Sequence, residues 1–438
     1  MDTVAFYRGA IPRLMNRLYF LAGRGMLSLT SQGINSANNF VSGIILGRLC
    51  PKEEYGLYAL GFSLIVMITD FQSALISTPY MVYSPRLNGD DKRKYAGSTL
   101  SHQLMFSALV SLMLLAGLGA VYSGMAPQNF TRVLEILAIV IVFIMLKDFI
   151  RQMCFISLNV KAALILDSVS ASIQIGGLSI LAYFRLLSAD RAFIVVGIAC
   201  GVTSIAWLFA NKGFFMLRKE MILRDFQHKW ALVKWMTASQ LLWTSSMGLY
   251  PWILATYHGV KANGEWAACV SVIMLGNLVC VAVQNMLGPK IIYVLAREGI
   301  SEMRGMIFKS AILFVLAMSL VCIFFVVFGN PLVVLFYGHK YEGNGYIVSV
   351  LALNLVMSSA TFPFSRGLFA MERADLDFMI NLVVIITLLF GVWLVRAFGP
   401  LGAAYGLFIA NALSVLLRGI VFNRVSQSKI TDMVKAEG

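Results

Sequence analysis

Apolar stretches of roughly 20 residues recur along the whole chain, with short polar turns between them. A helix of that length crosses a hydrocarbon core of about 30 Å, and no long polar stretch leaves room for a soluble domain of ordinary size. The pattern predicts an all-α polytopic membrane protein with about twelve spans. They cover residues 24–48, 56–82, 100–122, 132–156, 160–184 and 191–211 in the first half, and 236–257, 265–288, 306–328, 345–366, 374–396 and 401–422 in the second.

A repeat with a constant offset of 208 positions relates the two halves. Each copy has an apolar segment, a short polar turn and a second apolar segment that begins with glycine. Such repeats are typical of transporters whose substrate path lies between the halves, although two membrane hairpins can also match by chance. The identities pair Ser31-Gln32 with Ser239-Gln240, Ile45-Leu46 with Ile253-Leu254, and Gly56, Ala59, Ser63 and Ile65 with Gly264, Ala267, Ser271 and Ile273.

Charge sets the orientation of the spans. Charged residues make up only 13% of the chain, but Lys and Arg outnumber Asp and Glu by 35 to 21. About three quarters of the basic residues fall on the side of the N-terminus, so the positive-inside rule predicts that both termini are cytoplasmic. The net charge of +14 suits anionic lipid head groups of the bilayer, and no nucleic-acid partner is expected.

The domain organisation follows from the repeat. We expect an N-terminal six-helix bundle over 1–211, which begins with an interfacial helix, and a C-terminal six-helix bundle with a short cytoplasmic tail over 235–438. Residues 212–234 mix basic and apolar side chains, as in a helix lying at the inner membrane surface. The six cysteines form no CxxC pair, the four histidines have no metal-ligand spacing, and no phosphate-binding glycine loop is present. We therefore expect no metal, no cofactor and no enzymatic activity.

Polar side chains within the spans are the candidates for a substrate site, because they are costly in lipid and usually face a cavity or one another. Amides on one helical face can bind sugar hydroxyls, and aromatic rings beside amides suit sugar rings. The alternative is that these amides make hydrogen bonds between packed helices. The candidates are Gln32, Asn35 and Asn39 in the first span, Gln240 and Trp243 in the seventh, and Asn277 and Gln284 in the eighth.

Charged side chains within the spans are sharper candidates. Lys147 and Arg151 lie four residues apart on one face of the fourth span, and Arg24 and Arg366 lie at the same inner side. Together these cations suit a phosphate group, although orientation bias alone also places arginines there. Asp70 and Asp167 are candidate sites for a coupling proton or sodium ion, or ion-pair partners. Asp148, which lies between Lys147 and Arg151, is a candidate to neutralise either of them.

Three segments resemble bacterial polysaccharide transporters, the O-antigen or exopolysaccharide flippases of the multidrug/oligosaccharidyl-lipid/polysaccharide (MOP) exporter superfamily. The segments run from Ile44 to Ala59, from Leu335 to Tyr341 and from Phe398 to Ala404. The resemblance implies two six-helix bundles around a V-shaped cavity in the bacterial inner membrane. It also implies flipping of a polyprenyl-pyrophosphate-linked oligosaccharide to the outer leaflet by alternating access. A polysaccharide polymerase or assembly complex is an implied partner, and an ion gradient or consumption of the product would set the direction.

Two other classes of function compete with the flippase. A multidrug or other small-molecule exporter of the same superfamily also has twelve spans. An integral-membrane glycan polymerase or ligase normally needs catalytic residues on a sizeable outer loop, whereas the longest outer loop here is about 16 residues, 329–344. The sequence therefore favours the flippase over the exporter, and both over the polymerase or ligase.

Overall fold

The computed structural model describes the backbone of residues 3–122, 128–216 and 219–437. It describes side chains over 26–119, 129–216 and 242–431, except at positions 243, 245–247, 278–279, 281–283, 285–286, 289, 374 and 388. The described backbone is helical almost throughout and contains no strand. Seven helices in these ranges are long and apolar enough to cross a membrane, judged by length and composition. The predicted all-α polytopic membrane fold is therefore confirmed.

Ten α-helices make up most of the described backbone. A π-helical turn, Ser73–Ser77, connects the helix that ends at Gln72 to the helix that begins at Thr78 without a loop, so these two are counted as one helical stretch. The helices are α1 (Thr3–Leu49), α2 (Lys52–Gln72), α3 (Thr78–Tyr83), α4 (Gly89–Tyr122), α5 (Thr131–Ile156), α6 (Val160–Tyr183), α7 (Ala189–Ala210), α8 (Lys219–Tyr337), α9 (Gly345–Ala370) and α10 (Ala374–Glu437).

Three glycines with positive φ interrupt the two longest helices. Gly259 (φ 79°) and Gly299 (φ 88°) divide α8 into three helical stretches, and Gly399 (φ 58°) divides α10 into two. Glycine adopts this left-handed conformation without the steric cost that a Cβ would add. With α2 and α3 counted as one, the described backbone then has twelve helical stretches, which correspond one to one to the predicted spans.

The chain forms two compact units. The first contains Met1–Ile45, Ile68–Ala120 and Thr131–Thr237; the second contains Leu46–Met67, Val121–Phe130 and Ala238–Gly438. The boundary passes through α2, between Met67 and Ile68, one turn before the π-helical segment. The domain limits drawn from the sequence repeat stay a prediction, because they describe the repeat and not compactness.

Two clusters of apolar side chains pack on neighbouring faces of α5 and form a core of the first unit. One side of α5 contributes Phe149 and Met153 to a cluster that contains the stacked rings of Tyr80 and Tyr95, whose centroids are 5.7 Å apart. The other side contributes Leu146, Ile150 and Cys154, which pack against Ala163 and Leu166 of α6. These contacts fix how α5 is rotated about its own axis, and so decide where its charged residues point.

In the second unit the two copies of the repeated hairpin touch through backbone. A Cβ added to Gly56 would overlap the carbonyl oxygen of Val260, and a Cβ added to Gly264 would overlap that of Lys52. These contacts are reciprocal under the offset of 208 positions. Asn263 Nδ2 donates to Gly56 O at 2.9 Å, and Lys52 Nζ lies 2.5 Å from Glu265 Oε1. Only glycine permits this approach of two helices, as in small-residue contacts within membranes.

Candidate functional site

Three helices of the first unit bring two cations together on one carboxylate. Asp167 of α6 accepts hydrogen bonds from Lys147 Nζ at 2.9 Å and from Arg151 Nε at 2.8 Å, both on α5. Ser31 of α1 donates to the same carboxylate at 2.5 Å. The side chain of Asp167 is fully buried, whereas those of Lys147 and Arg151 each keep 12% exposure. The cations are therefore held in place yet remain partly exposed.

The same two cations reach amide side chains of α1. Arg151 Nη2 donates to Gln32 Oε1 at 2.9 Å, and Lys147 Nζ lies 3.4 Å from Asn35 Oδ1. The Arg151 guanidinium also stands 4.9 Å from the ring centroid of Phe155. Five of the predicted site residues thus meet in one cluster: Gln32, Asn35, Lys147, Arg151 and Asp167. A cluster of fixed cations and amides, with an aromatic ring beside them, can bind a phosphate next to a sugar.

The cluster follows from helix periodicity on α5. Lys147 and Arg151 are four residues apart, so they share a face that adjoins the face carrying Leu146, Ile150 and Cys154. Because those apolar residues pack against α6, the two cations are turned toward Asp167, which lies one position after the buried Leu166. Desolvation of each charge is offset by its partners, as buried ionic groups require.

Asp148 is not the partner of these cations, contrary to the alternative that the sequence suggested. It lies about 100° further round α5 than Lys147, on the face that carries Gln152. Gln152 Nε2 donates to Asp148 Oδ2 at 2.7 Å, and Ser73 of the π-helical turn reaches Gln152 Oε1 at 3.4 Å. Proximity in sequence suggested Asp148, but the rotation of α5 selects Asp167.

A second polar face of α1, next to the predicted cavity-lining face, packs against α6. Asn38 Nδ2 donates to Gln174 Oε1 at 3.0 Å, and Gln174 Nε2 donates to Ser42 Oγ at 2.9 Å. Ser31 and Asn38 each meet a residue 136 positions later, so α1 and α6 run side by side in one register. Asn39 is exposed and takes no part in this row of contacts. The place of Asn39 on the cavity-lining face of Gln32 and Asn35 therefore stays a prediction.

Other predicted residues lie elsewhere in the chain. Asp70 is half-buried on α2 in the first unit. In the second unit Asn277 is half-buried, Gln284 Nε2 lies 3.0 Å from Cys280 Sγ, and Arg366 is exposed with its guanidinium 5.1 Å from the Phe362 ring centroid. The side chains of Arg24, Gln240 and Trp243 lie outside the described residues. Within the described ranges, no three His, Cys, Asp or Glu side chains are grouped so as to hold a metal ion.

A second buried ion pair escaped the sequence analysis. Arg418 of α10 is 3% exposed and donates from Nε to Asp377 Oδ1 at 2.7 Å and from Nη2 to Asn381 Oδ1 at 2.7 Å. Its Nη1 contacts Ser414 Oγ. The available signal was a single arginine within the apolar stretch of the twelfth span. Because the Arg418 contacts lie among side chains of one helix pair, they stabilise the second unit.

The fold is shared with solved transporters. The sequence matches no family model and no curated protein. A multidrug resistance MATE family transporter of the MOP superfamily, inward-facing, has TM-score 0.75 and 14% identity, over 92% of this chain and 98% of its own.

Two further solved structures have a similar fold. Lipid II flippase MurJ, in an inward closed conformation, has TM-score 0.71 and 13% identity over 93% of this chain and 91% of its own. A MOP superfamily transporter from Pyrococcus furiosus has TM-score 0.63 and 13% identity over 92% and 94%. At such identities the likeness shows the fold alone: this chain folds as transporters of the MOP superfamily do.

Proposed function

We propose that this protein is a transporter that flips a polyprenyl-pyrophosphate-linked oligosaccharide from the inner to the outer leaflet by alternating access. The observation that carries the proposal is the pair Lys147 and Arg151, which lie on α5, the predicted fourth span, and are each still 12% exposed. The positive-inside rule puts this pair toward the cytoplasmic end of the fourth span. A head group that arrives from the cytoplasmic leaflet meets these cations first.

The charges of the cluster favour an anionic ligand. Lys147, Arg151 and Asp167 together carry one net positive charge, and Asp148 has its own hydrogen-bond donor in Gln152. At an effective dielectric constant of about 20, a further anion about 4 Å from a cation gains roughly 4 kcal/mol of Coulomb energy. Arg151 is the better of the two for phosphate, because its planar guanidinium presents several donors in fixed directions.

The amides around the cations suit the sugar that follows the phosphate. Gln32 and Asn35 lie on α1 next to Arg151 and Lys147, and Phe155 offers a ring to an apolar sugar face. Each amide has both a donor and an acceptor, so it can bind hydroxyls in either direction. A phosphate site with amides beside it matches a lipid-linked glycan better than it matches an apolar drug.

The comparison proteins include both kinds of transporter that the sequence suggested. MurJ is a lipid II flippase, and the MATE protein is a multidrug resistance transporter. The Pyrococcus furiosus protein has a binding pocket of reverse polarity, which suggests a different function for it. Pocket charge therefore distinguishes proteins of this fold. The two cations of this cluster favour an anionic substrate over a cationic drug.

The proposal is tested in a strain that lacks the gene and is complemented with variants. Lys147→Ala and Arg151→Ala should each stop export of the surface or secreted glycan, leave its lipid-linked precursor inside the cell, and keep the amount of folded protein unchanged. Lys161→Ala is the matched control, since Lys161 is an exposed cation on α6 outside the cluster.

Two results would contradict the proposal. Normal glycan export by the Lys147→Ala, Arg151→Ala double variant would remove this site from the transport cycle. Normal glycan in the deletion strain, together with increased sensitivity to cationic drugs, would assign the protein to multidrug export.

A further inference from the structure

Asp167 makes its contacts where an anionic ligand of Lys147 and Arg151 would make them. One carboxylate oxygen faces Lys147 Nζ at 2.9 Å, and the other faces Arg151 Nε at 2.8 Å. Ser31 holds the second oxygen from the far side at 2.5 Å. A phosphate would bind the two cations in the same way, with one oxygen at each cation.

We infer that Asp167 is the resident counter-anion of this site and controls its affinity for phosphate. The inference rests on the proposed function and deepens it. While Asp167 is ionised, it cancels one of the two positive charges and occupies the donors that point into the cluster. An incoming pyrophosphate must then share the cations with a negative charge at contact distance, which weakens its binding.

A proton on Asp167 removes this competition. The neutral carboxyl leaves both cations uncompensated, so proton binding at Asp167 and phosphate binding at Lys147 and Arg151 strengthen each other. The surroundings contain few other titratable groups: the charged and titratable side chains facing Asp167 are Lys147, Arg151, Asp148 and Cys154 of α5 and Cys200 of α7. Cys154 and Cys200 are buried thiols, and Asp148 accepts from Gln152.

This coupling gives the site one affinity for the head group when Asp167 is protonated and a lower one when Asp167 is ionised, without any new contact. While Asp167 is neutral, the head group binds tightly; once Asp167 is ionised, its carboxylate competes for the two cations again and the head group binds weakly. A ligand shifts a transport cycle only through such a difference between two states. Asp167 acts on the substrate through Lys147 and Arg151, so it is a positioning residue.

The test measures binding of inorganic pyrophosphate to the purified full-length protein in detergent, by calorimetry, from pH 8 down to pH 4. Asp167→Asn should bind at least about ten times more tightly than the wild type at pH 8, since one opposing charge is gone. The ratio of the two affinities should shrink toward pH 4. The protonation of pyrophosphate itself is common to both proteins and cancels in this ratio.

Asp148→Asn is the matched control, because Asp148 is a buried carboxyl on the same helix that bonds Gln152 instead of a cation. Its affinity for pyrophosphate at pH 8 should rise much less than that of Asp167→Asn. Ser31→Ala provides a second, milder variant if Asp167→Asn does not fold. The loss of the Ser31 donor destabilises the ionised carboxylate, so the pH at which pyrophosphate affinity falls should move upward by about one unit.

The outcomes separate the two proposals. Equal or weaker pyrophosphate binding by Asp167→Asn, with Lys147→Ala abolishing it, overturns the role of Asp167 and leaves the phosphate site intact. No effect of Ser31→Ala on the pH profile also counts against Asp167. Absence of pyrophosphate binding in folded wild type and folded Asp167→Asn alike overturns the phosphate site itself.

Discussion

The contact between Gly56 and Gly264 leads to a quantitative prediction. A methyl group at position 264 would overlap the carbonyl oxygen of Lys52 and stand close to Gly56 N, which lies 3.2 Å from the new Cβ. Both neighbours are backbone atoms, so no side-chain rotation relieves the overlap. The segment that contains Lys52 would have to move away from α8, and the ion pair between Lys52 and Glu265 would lengthen.

The change in the free energy of unfolding is the sum of two opposing contributions. Overpacking a close contact costs about 1–3 kcal/mol. Alanine in place of glycine within a helix gains about 1 kcal/mol. Gly264→Ala should therefore be neutral to destabilising by about 2 kcal/mol. Gly305→Ala, also in α8, meets nothing within 4 Å and gains only the helix term. The difference between the two variants isolates the overpacking term of about 1–3 kcal/mol.

The assay is thermal unfolding of the purified protein in detergent, followed by tryptophan fluorescence. Gly264→Ala should lower the Tm relative to Gly305→Ala, and Gly56→Ala should do the same, because the contact is reciprocal. The double variant Gly56→Ala, Gly264→Ala should lose less than the sum of the two single losses, since one separation of the helices accommodates both methyl groups. A Gly264→Ala protein as stable as Gly305→Ala would refute the close backbone contact.

Three further predictions concern the site and the orientation of the chain. Arg151→Lys should retain part of the transport of the wild type in the glycan-export assay, because lysine keeps the charge but lacks the planar fork; activity as low as that of Arg151→Ala would show that charge alone is insufficient. Cysteines at Lys52 and Glu265 should be joined by a short bifunctional thiol reagent, since the long side chains of these residues meet within the second unit; absence of this crosslink would contradict the contact. Single cysteines at Lys92 and His339 should react with membrane-impermeant reagents only from inside and only from outside the cell, respectively; external labelling at position 92 would reverse the predicted orientation.

Hydrophobic patterning was enough to predict the helices. Each span was marked by about 20 apolar residues, and the chain has the corresponding helical stretches, including those that glycine breaks separate at Gly259, Gly299 and Gly399. The sequence indicated the positions of these breaks only approximately, through its polar turns. Length and apolarity are local properties, so they can be read without knowing which helix packs on which.

The cluster was predictable in part. The four-residue spacing of Lys147 and Arg151 places them on one face whatever surrounds the helix. The identity of their partner depends on the register between α5 and α6, which the sequence does not contain; hence Asp148, adjacent in sequence, was considered although Asp167 makes the contact. For the same reason the sequence did not identify Asn38 as the residue of α1 that bonds Gln174 of α6.

The reciprocal glycine contact has a consequence for how the two halves are related. In a two-fold symmetric dimer the interface is isologous, which means that one patch binds an identical patch on the other copy. Gly56 against Val260 and Gly264 against Lys52 form such an interface inside a single polypeptide. A substitution at either glycine disturbs both sides of it, so the two positions share one steric requirement. Leu46 and Leu254, another pair at the same offset, are both fully buried. The repeat is therefore detectable in the sequence at the positions where its two copies pack against each other.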